Sequence, residues 1–299
     1  MDTTDRIIRA MNQEKTVRVL LANTTRLVDE ARERHGTTPT ATAALGRVLT
    51  AAVMMGSDLK GQESVTVRVN GGGPLGTILA AAGADCTVRG YVDEPGAEVP
   101  EKYRGKLDVG KAVGTDGYLE VVKDLGLKSP FGGTVPLASG EIAEDMVHYF
   151  TFSEQVPSLV ALGVYVERDR TVGAAGGLII QALPGADDTL LGIIEEKATS
   201  LGPITGLLRQ EDALEDIMHL VMEDIPYQII DERAAAFRCK CSQEKINSIA
   251  AALSQEDIEQ ACADRGLLEI TCNFCNQVYQ LTPAEIEEIK KASGEDSQG

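Results

Sequence analysis

The cysteines of this 299-residue chain are concentrated near its C-terminus, where five of the six lie between Cys239 and Cys275. Four of them form a C-x-C pair and a C-x-x-C pair: Cys239 and Cys241, then Cys272 and Cys275. Two such pairs, about thirty residues apart, are what a closed tetrahedral site made from two knuckles requires, and four thiolates favour Zn²⁺ or iron. The chain is therefore predicted to contain a small C-terminal module built around a metal ion.

A module of about fifty residues has a thin core, and zinc binding to a four-thiolate site can supply roughly 10–16 kcal/mol of folding free energy. The module is therefore expected to fold only with metal. The spacing does not separate a static structural site from a reactive one. Arg238 and Lys240 flank the first pair with positive charge that favours the reactive thiolate. Oxidation of either pair would remove two ligands and, with them, the metal-dependent stability of the module.

The remaining candidate ligands are weaker. Cys262 lies at helical spacing from Ile258 and is interpreted as a small buried hydrophobic residue rather than a fifth ligand or a resolving thiol. Cys86 is expected in a strand. Three scattered histidines without ligand spacing to the cysteines are interpreted as structural or surface residues: His35, His148 and His219.

The sequence offers no support for catalysis or nucleotide binding. The glycines 71–73 are not followed by the Lys-Ser or Lys-Thr of a phosphate-binding loop, and no nucleophile elbow or Cys/His pairing is found. We predict that the protein is not an enzyme. The formal net charge of −18, most of it contributed after residue 184, disfavours nucleic acid and anionic membranes as partners.

No apolar run reaches the roughly 18 residues that span a bilayer, and Met1 to Ala10 lacks the apolar stretch of a secretory signal. A cytoplasmic location is therefore predicted. In a reducing compartment, clustered cysteines indicate metal or redox chemistry before structural disulfides.

Periodicity predicts an α+β fold with a largely antiparallel sheet. Helices are expected over 40–56 and over 139–154, the second capped by Ser139, and strands over 64–70, 75–80, 87–93, 118–123, 163–168 and 178–183. After Pro184 the pattern predicts two helices, with Leu, Ile and Met on one face between Asp187 and Asp224. The C-terminal module is predicted as two short helices (242–253 and 254–266), a hairpin (267–281) and a last helix that begins at Thr282. The predicted domains are a core domain (1–184), a helical linker (185–236), a zinc-binding redox-switch domain (237–292) and a frayed tail (293–299).

Several segments, in this order, resemble the bacterial redox-regulated 33 kDa chaperonin family, which comprises ATP-independent heat-shock holdases. The resemblance spans nearly the whole chain. Its motifs are GTDGYL from Gly114, KDLGLKSPFGGTVPLASGEIAEDM from Lys123 to Met146, SEQVPS from Ser153, GGLIIQALPG from Gly176 to Gly185, and the two cysteine pairs.

The resemblance implies an α/β core, a helical linker and a C-terminal switch that is inactive when reduced and loaded with one zinc per chain. It also implies that oxidation forms the disulfides Cys239–Cys241 and Cys272–Cys275, releases zinc and loosens linker and switch. Apolar surface then holds unfolding client proteins under oxidative and heat stress. Implied partners are a second copy in an active homodimer and an ATP-driven refolding chaperone downstream. Cys262 is an additional cysteine beyond the motif.

Two other functions remain as alternatives. A thiol-disulfide oxidoreductase could use the C-x-x-C pair, although the thioredoxin-like strand-to-helix setting is absent, and turnover in a disulfide-reduction assay would support it. A zinc-ribbon nucleic-acid-binding protein is disfavoured by the acidic C-terminal half, and salt-dependent binding to DNA or RNA would support it.

Overall fold

The computed structural model describes residues 4–210, 213–223, 225–263 and 265–295. The chain forms two compact units, Met1–Arg238 (unit 1) and Cys239–Gly299 (unit 2). Unit 1 thus contains both the predicted core domain and the predicted linker. The boundary proposed between those two, at residue 184, stays a prediction.

Unit 1 combines strands and helices in similar amounts, and α2 is its longest helix. Its strands are β1 (Arg6–Asn12), β2 (Val17–Asn23), β3 (Ser64–Asn70), β4 (Ile78–Gly83), β5 (Thr87–Val92), β6 (Tyr118–Asp124), β7 (Phe131–Pro136), β8 (Ser158–Val166), β9 (Val172–Ala182), β10 (Tyr227–Ala234) and β11 (Ala236–Phe237). Its helices are α1 (Thr25–His35), α2 (Pro39–Gly56), α3 (Val109–Val113), α4 (Ala143–His148), α5 (Asp188–Ser200), α6 (Ile204–Gln210) and α7 (Leu214–Met222), and a short π-helix covers Tyr149–Glu154.

The strands of unit 1 form two sheets. The first has the order β10-β1-β2-β9-β8 and is antiparallel throughout. The second has the order β11-β5-β4-β3-β6-β7 and is antiparallel except for the short β11–β5 pairing. The predicted α+β class with largely antiparallel sheets is confirmed.

Helix α2 packs against strands of both sheets and carries the centre of the core. Thr38 caps it by accepting the Ala41 N–H, and Pro39 occupies the first helical position, where a missing N–H costs nothing. The helix sequence is rich in Ala, Leu, Val and Met, and nearly all of its side chains are buried. Because both sides of the helix meet a sheet, it needs no polar face. The helix predicted over 40–56 is confirmed.

Strands β2 and β9, inside the five-stranded sheet, are largely buried on both faces. Leu20 and Ala22 of β2 alternate with Val19 and Leu21, and all four side chains are buried. One face meets α2 and the other meets α6 and α7. A strand buried on both sides loses the apolar-polar alternation that identifies strands in sequence, which is why the sequence does not predict β2.

The three helices α5, α6 and α7, which we call the linker helices, cover the outer face of this sheet. They form one apolar cluster with β1, β2 and β9, which we call the linker–sheet cluster. Its buried members are Ile8, Ala10, Val17, Val19, Leu21, Leu178, Ile180, Ile194, Ile204, Leu207, Leu214, Ile217, Met218, Val221, Met222 and Ile225. The predicted apolar stripe of the linker is therefore packed as core in this state.

Three local expectations were wrong. The segment around Ser139 is a loop and the helix begins at Ala143, because the fully buried Asp145 carboxylate accepts four backbone N–H groups and folds the loop around itself; the donors are residues 138, 139, 140 and 142. The second linker helix is two helices, α6 and α7. Residues 227–237 are strands rather than helix, because they complete one edge of each core sheet.

An ion pair adds to the packing of α7. The Arg6 guanidinium on β1 donates to both carboxylate oxygens of Glu215, at 2.7 and 2.6 Å, and also donates to Glu232 on β10. The hydrogen bond from Arg6 lowers the pKa of Glu215 below its ordinary value. A lowered folded-state pKa stabilises the fold above the ordinary pKa and is lost as the pH falls through the folded value.

We expect Glu215→Gln to lower the free energy of opening of α7 at pH 7 by about 0.5–1 kcal/mol, since the pair is partly exposed and screened. The difference from the wild type should shrink as the pH falls below the ordinary glutamate pKa and vanish once the pH is below the lowered folded-state value, where the carboxylate is protonated. Hydrogen exchange of α7 measures both. Asp216→Asn, on an exposed neighbour in the same first turn, is the matched control: it removes a negative charge from the helix N-terminus but no ion pair, so its effect should be smaller than that of Glu215→Gln.

Unit 2 is small and has its own apolar centre. It contains α8 (Gln243–Ala252), α9 (Gln255–Cys262), β12 (Leu268–Thr271), β13 (Val278–Leu281) and α10 (Pro283–Glu295), with β12 and β13 paired as a hairpin. Its buried cluster is Ile246, Ala250, Ile258, Leu268, Leu281 and Ile286. The predicted hairpin and three helices are present. The predicted tail overlaps the end of α10, and its residues 296–299 lie outside the described residues.

In the described part of the chain, no helix has both the length and the apolar character needed to cross a membrane.

Candidate metal centre

The two cysteine pairs lie on different parts of unit 2. Cys239 and Cys241 lie in the non-helical segment directly before α8, whose first turn is capped by the Ser242 hydroxyl accepting the Lys245 N–H. Cys272 and Cys275 lie in the turn that joins β12 to β13. That turn is closed by backbone bonds from Cys272 N–H to Gln277 O at 2.9 Å and from Asn276 N–H to Cys272 O at 2.8 Å.

The fold of unit 2 brings all four sulfur atoms together. We call this group the four-cysteine cluster: Cys239, Cys241, Cys272 and Cys275, whose Sγ atoms all lie within 4.8 Å of one another. The Sγ–Sγ distance is 3.7 Å for Cys239 and Cys272 and 3.4 Å for Cys241 and Cys275. No other cluster of three or more His, Cys, Asp or Glu side chains in the described part of the chain brings its ligand atoms this close together.

These distances fit metal coordination. Metal–sulfur bonds of about 2.3 Å in a tetrahedron place the sulfur atoms about 3.8 Å apart, close to the observed separations. A disulfide would need a separation of about 2.05 Å, and all six cysteines are free thiols. The cluster could therefore hold a metal ion. Since every pair of sulfur atoms is close, proximity does not select which cysteines would pair on oxidation.

The thiols of Cys239, Cys241 and Cys275 differ in how readily they ionise. Burial raises the pKa of Cys275 and of Cys239. Burial also opposes ionisation of Cys241, but hydrogen bonds from the Tyr279 hydroxyl and from the neighbouring thiols outweigh it and lower the pKa of Cys241 to about 7. In the absence of metal, Cys241 therefore ionises more readily than Cys239 or Cys275.

Tyr279 is a part of the centre that sequence reasoning missed. Its hydroxyl lies 3.2 Å from the Cys241 Sγ, and the hydrogen bond raises the pKa of the phenol to about 12. It is on β13, four residues after Cys275, while its partner cysteine is 38 residues away. Only the folded hairpin reveals that contact, and no sequence spacing signals it.

The other candidates lie apart from the centre. Cys262 is half-buried at the end of α9 and packs against the apolar cluster of unit 2, outside the four-cysteine cluster. Cys86 is fully buried in the turn before β5, with a positive φ of 56°, and not within a strand as expected. The histidines belong to other parts of the fold and none joins the cluster: His35 ends α1, His148 ends α4 and His219 is in α7.

Comparison with known proteins identifies the family. The sequence model of the Hsp33 protein family matches residues 5–282, nearly the whole chain. The chain belongs to the Hsp33 family. Curated Hsp33 relatives are named 33 kDa chaperonin: that of Desulforamulus reducens is 43% identical over 287 residues, covering 96% of this chain and 97% of its own length. That of Geobacillus kaustophilus is 42% identical over 287 residues, covering 96% and 98%.

The fold agrees with a solved Hsp33 structure. The crystal structure of the 33 kDa chaperonin, or heat shock protein 33 homologue, of Thermotoga maritima matches with a TM-score of 0.90 and 34% sequence identity. The match covers 98% of this chain and 100% of that chain. The resemblance stated from the sequence motifs is therefore confirmed at the level of family and fold.

Proposed function

We propose that this protein is a redox-regulated, ATP-independent chaperone of the holdase type. In the reduced state the four-cysteine cluster holds one zinc ion per chain and the protein is inactive. The observation that carries the proposal is the cluster itself: four free thiols within coordination distance of one another, in a small unit of an Hsp33 chain.

Zinc, when bound, joins the segment before α8 to the β12–β13 turn and supplies folding free energy, roughly 10–16 kcal/mol for structural sites of this kind. Unit 2 has few other sources of stability. Its apolar centre contains six buried side chains, and most residues of α8, α9 and α10 are at least partly exposed. Domains this small commonly depend on a metal or on disulfides for their stability.

Oxidation is the proposed trigger. The proposed disulfides are Cys239–Cys241 and Cys272–Cys275, and each takes two thiolate ligands out of the site. Unit 2 then loses the cross-link between its two halves and unfolds. The change reaches unit 1 along the chain, since only Arg238 separates Cys239 from β11, and the Arg238 N–H donates to Val88 O at 2.8 Å.

The client-binding surface is proposed to come from the linker–sheet cluster. In the packed state Leu214, Ile217, Met218, Val221 and Met222 are all buried. Release of the linker helices would expose both that stripe and the outer face of the sheet it covers. Methionine side chains are flexible and polarisable, which suits a surface that must adapt to many unfolded clients.

The remaining parts of the proposal concern the partners of the protein and its cellular location. Clients are unfolded or partly folded proteins, the active form is a homodimer, and held clients pass to an ATP-driven refolding chaperone. The protein acts in the cytoplasm and is not an enzyme. The acidic charge of the C-terminal half helps to keep an opened linker soluble.

An aggregation assay tests the proposal. A heat-labile client is warmed with reduced or peroxide-treated protein while light scattering and zinc release are recorded. We expect protection only after oxidation, saturating at a fixed ratio of chaperone to client and unchanged by ATP. A requirement for ATP, or equal protection by the reduced protein, would count against a redox-regulated holdase.

The metal assignment makes a separate prediction. Cys272→Ser should lose bound zinc, since three thiolates leave the tetrahedral site open. Cys262→Ser is the matched control and should retain one zinc per chain. Metal analysis of the purified reduced proteins decides the matter: zinc lost from Cys262→Ser but kept by Cys272→Ser would show that the ligands are assigned wrongly.

A further inference from the structure

The hydroxyl of Tyr279 is directed at one ligand of the four-cysteine cluster. It lies 3.2 Å from the Sγ of Cys241, while the Tyr279 ring packs against the apolar cluster of unit 2. Strand β13 is held in place by its pairing with β12, where Tyr279 lies opposite Ile270. The hydroxyl is thus held by the same hairpin that carries the second cysteine pair, yet it contacts a cysteine of the first pair.

A phenol hydroxyl can donate a hydrogen bond, and a thiolate can only accept one. Tyr279 therefore donates a hydrogen bond to the Cys241 sulfur when that sulfur is ionised or bound to metal. Hydrogen bonds to a ligating sulfur draw electron density from it and tune the reactivity of the site. Cys275 is different, because apart from the neighbouring thiols its hydrogen bond comes from the backbone N–H of Gln277. The hydrogen bond from Tyr279, by contrast, depends on a single side-chain oxygen atom, and a substitution can remove it.

We propose that Tyr279 is a positioning residue that restrains the attack of the Cys241 sulfur on hydroperoxides and so helps to set the oxidant threshold of the switch. This inference rests on the proposed function. In the reaction, the Cys241 thiolate attacks one oxygen of the peroxide, the S–O bond forms as the O–O bond breaks, and the departing hydroxide takes up a proton to become water. The Cys239 thiolate then attacks the sulfenic sulfur, the S–S bond forms and a second hydroxide leaves.

The hydrogen bond opposes the first of these steps. The sulfur lone pair that accepts the Tyr279 proton has less density to give to the peroxide oxygen, and the bond weakens as the sulfur loses its negative charge. The starting thiolate is therefore stabilised more than the transition state, which slows the reaction.

Tyr279→Phe removes the hydroxyl and keeps the packed ring. Reduced, zinc-loaded protein is mixed with hydrogen peroxide, and sulfenic acid is trapped at early times with a dimedone-type nucleophile. Mass spectrometry then gives the initial rates at Cys241 and Cys272. We expect the ratio of the Cys241 rate to the Cys272 rate to rise about threefold to tenfold in the variant, a tenfold change being about 1.4 kcal/mol of barrier. Tyr103→Phe, which removes a hydroxyl from an exposed residue of unit 1, should leave the ratio unchanged.

The rate ratio distinguishes a change in the reactivity of Cys241 from a general loss of stability, because a less stable unit 2 would increase the oxidation rates of both cysteines. Zinc release to a chelator in the presence of reductant, which involves no oxidation, should stay within about twofold of the wild type. An unchanged or lower ratio in Tyr279→Phe would overturn the inference while leaving the proposed function intact. If the wild-type protein neither oxidises nor releases zinc with peroxide, it is the proposed function that fails.

Discussion

Removing the metal from the reduced protein should unfold the segment from residue 239 to residue 281 and leave the two sheets and the central helix α2 of unit 1 folded. The expected loss, roughly 10–16 kcal/mol, exceeds or equals the whole stability of most domains, which is about 5–15 kcal/mol. Among the described residues of unit 2, the apolar cluster that could offset this loss consists of six buried side chains. Unit 1 keeps two sheets and a buried central helix that do not depend on the cysteines.

The measurement is hydrogen exchange on protein treated with a strong chelator in the presence of reductant, so that metal is removed without forming disulfides. Amides of α8 and of the β12–β13 hairpin should become exchange-labile, and added zinc should restore their protection. Amides of α2 and β9 in unit 1 serve as the internal control. Full protection of α8 and the hairpin in metal-free protein would mean that the apolar centre of unit 2 is sufficient for folding. Loss of the metal could then not act as the switch.

The second large effect is expected from shortening one side chain of the linker–sheet cluster. Met218 is fully buried at the centre of that cluster. Methionine-to-alanine changes at such sites cost about 2–5 kcal/mol through lost burial and the cavity left behind. Met218→Ala should therefore raise the open population of α7 by at least about thirtyfold, since 2 kcal/mol is a factor of that size.

If the linker–sheet cluster is the client surface, reduced and zinc-loaded Met218→Ala should suppress aggregation of a heat-labile client without any oxidation. The matched control is His219→Ala, on the exposed face of the same helix, which should behave as the wild type. Light scattering of the client and hydrogen exchange of α7 are recorded on the same samples. A variant whose α7 exchanges freely but which gives no protection would exclude the linker face as the client surface.

The parts of the fold that sequence predicted are those with a local cause. Helix α2 has a cap at Thr38, a proline at its first position and an unbroken helix-forming composition. The β12–β13 hairpin is marked by two cysteines three residues apart between short apolar runs. Both features are fixed by residues close together in the chain, so a short window of sequence carries the signal.

The parts that sequence missed depend on tertiary contacts. Strand β2 is apolar on both faces because one face meets α2 and the other meets the linker helices, so its sequence shows no apolar-polar alternation. Strand β10 is largely exposed and follows a helical region, and it is a strand because the edge of β1 is there to pair with it. Tyr279 becomes part of the metal centre only when the hairpin brings it to Cys241. Its position in the sequence gives no hint of that contact.

The central claim is that oxidation of the cysteines releases the linker helices from the five-stranded sheet of unit 1. Hydrogen exchange on reduced and peroxide-oxidised protein, resolved segment by segment and compared with chaperone activity on the same samples, tests it most directly. The account predicts that residues 188–222 and 239–281 change from protected to exchange-labile on oxidation, while α2, β9 and the six-stranded sheet stay protected. Full retention of protection in both segments after zinc release, with chaperone activity present, would contradict it.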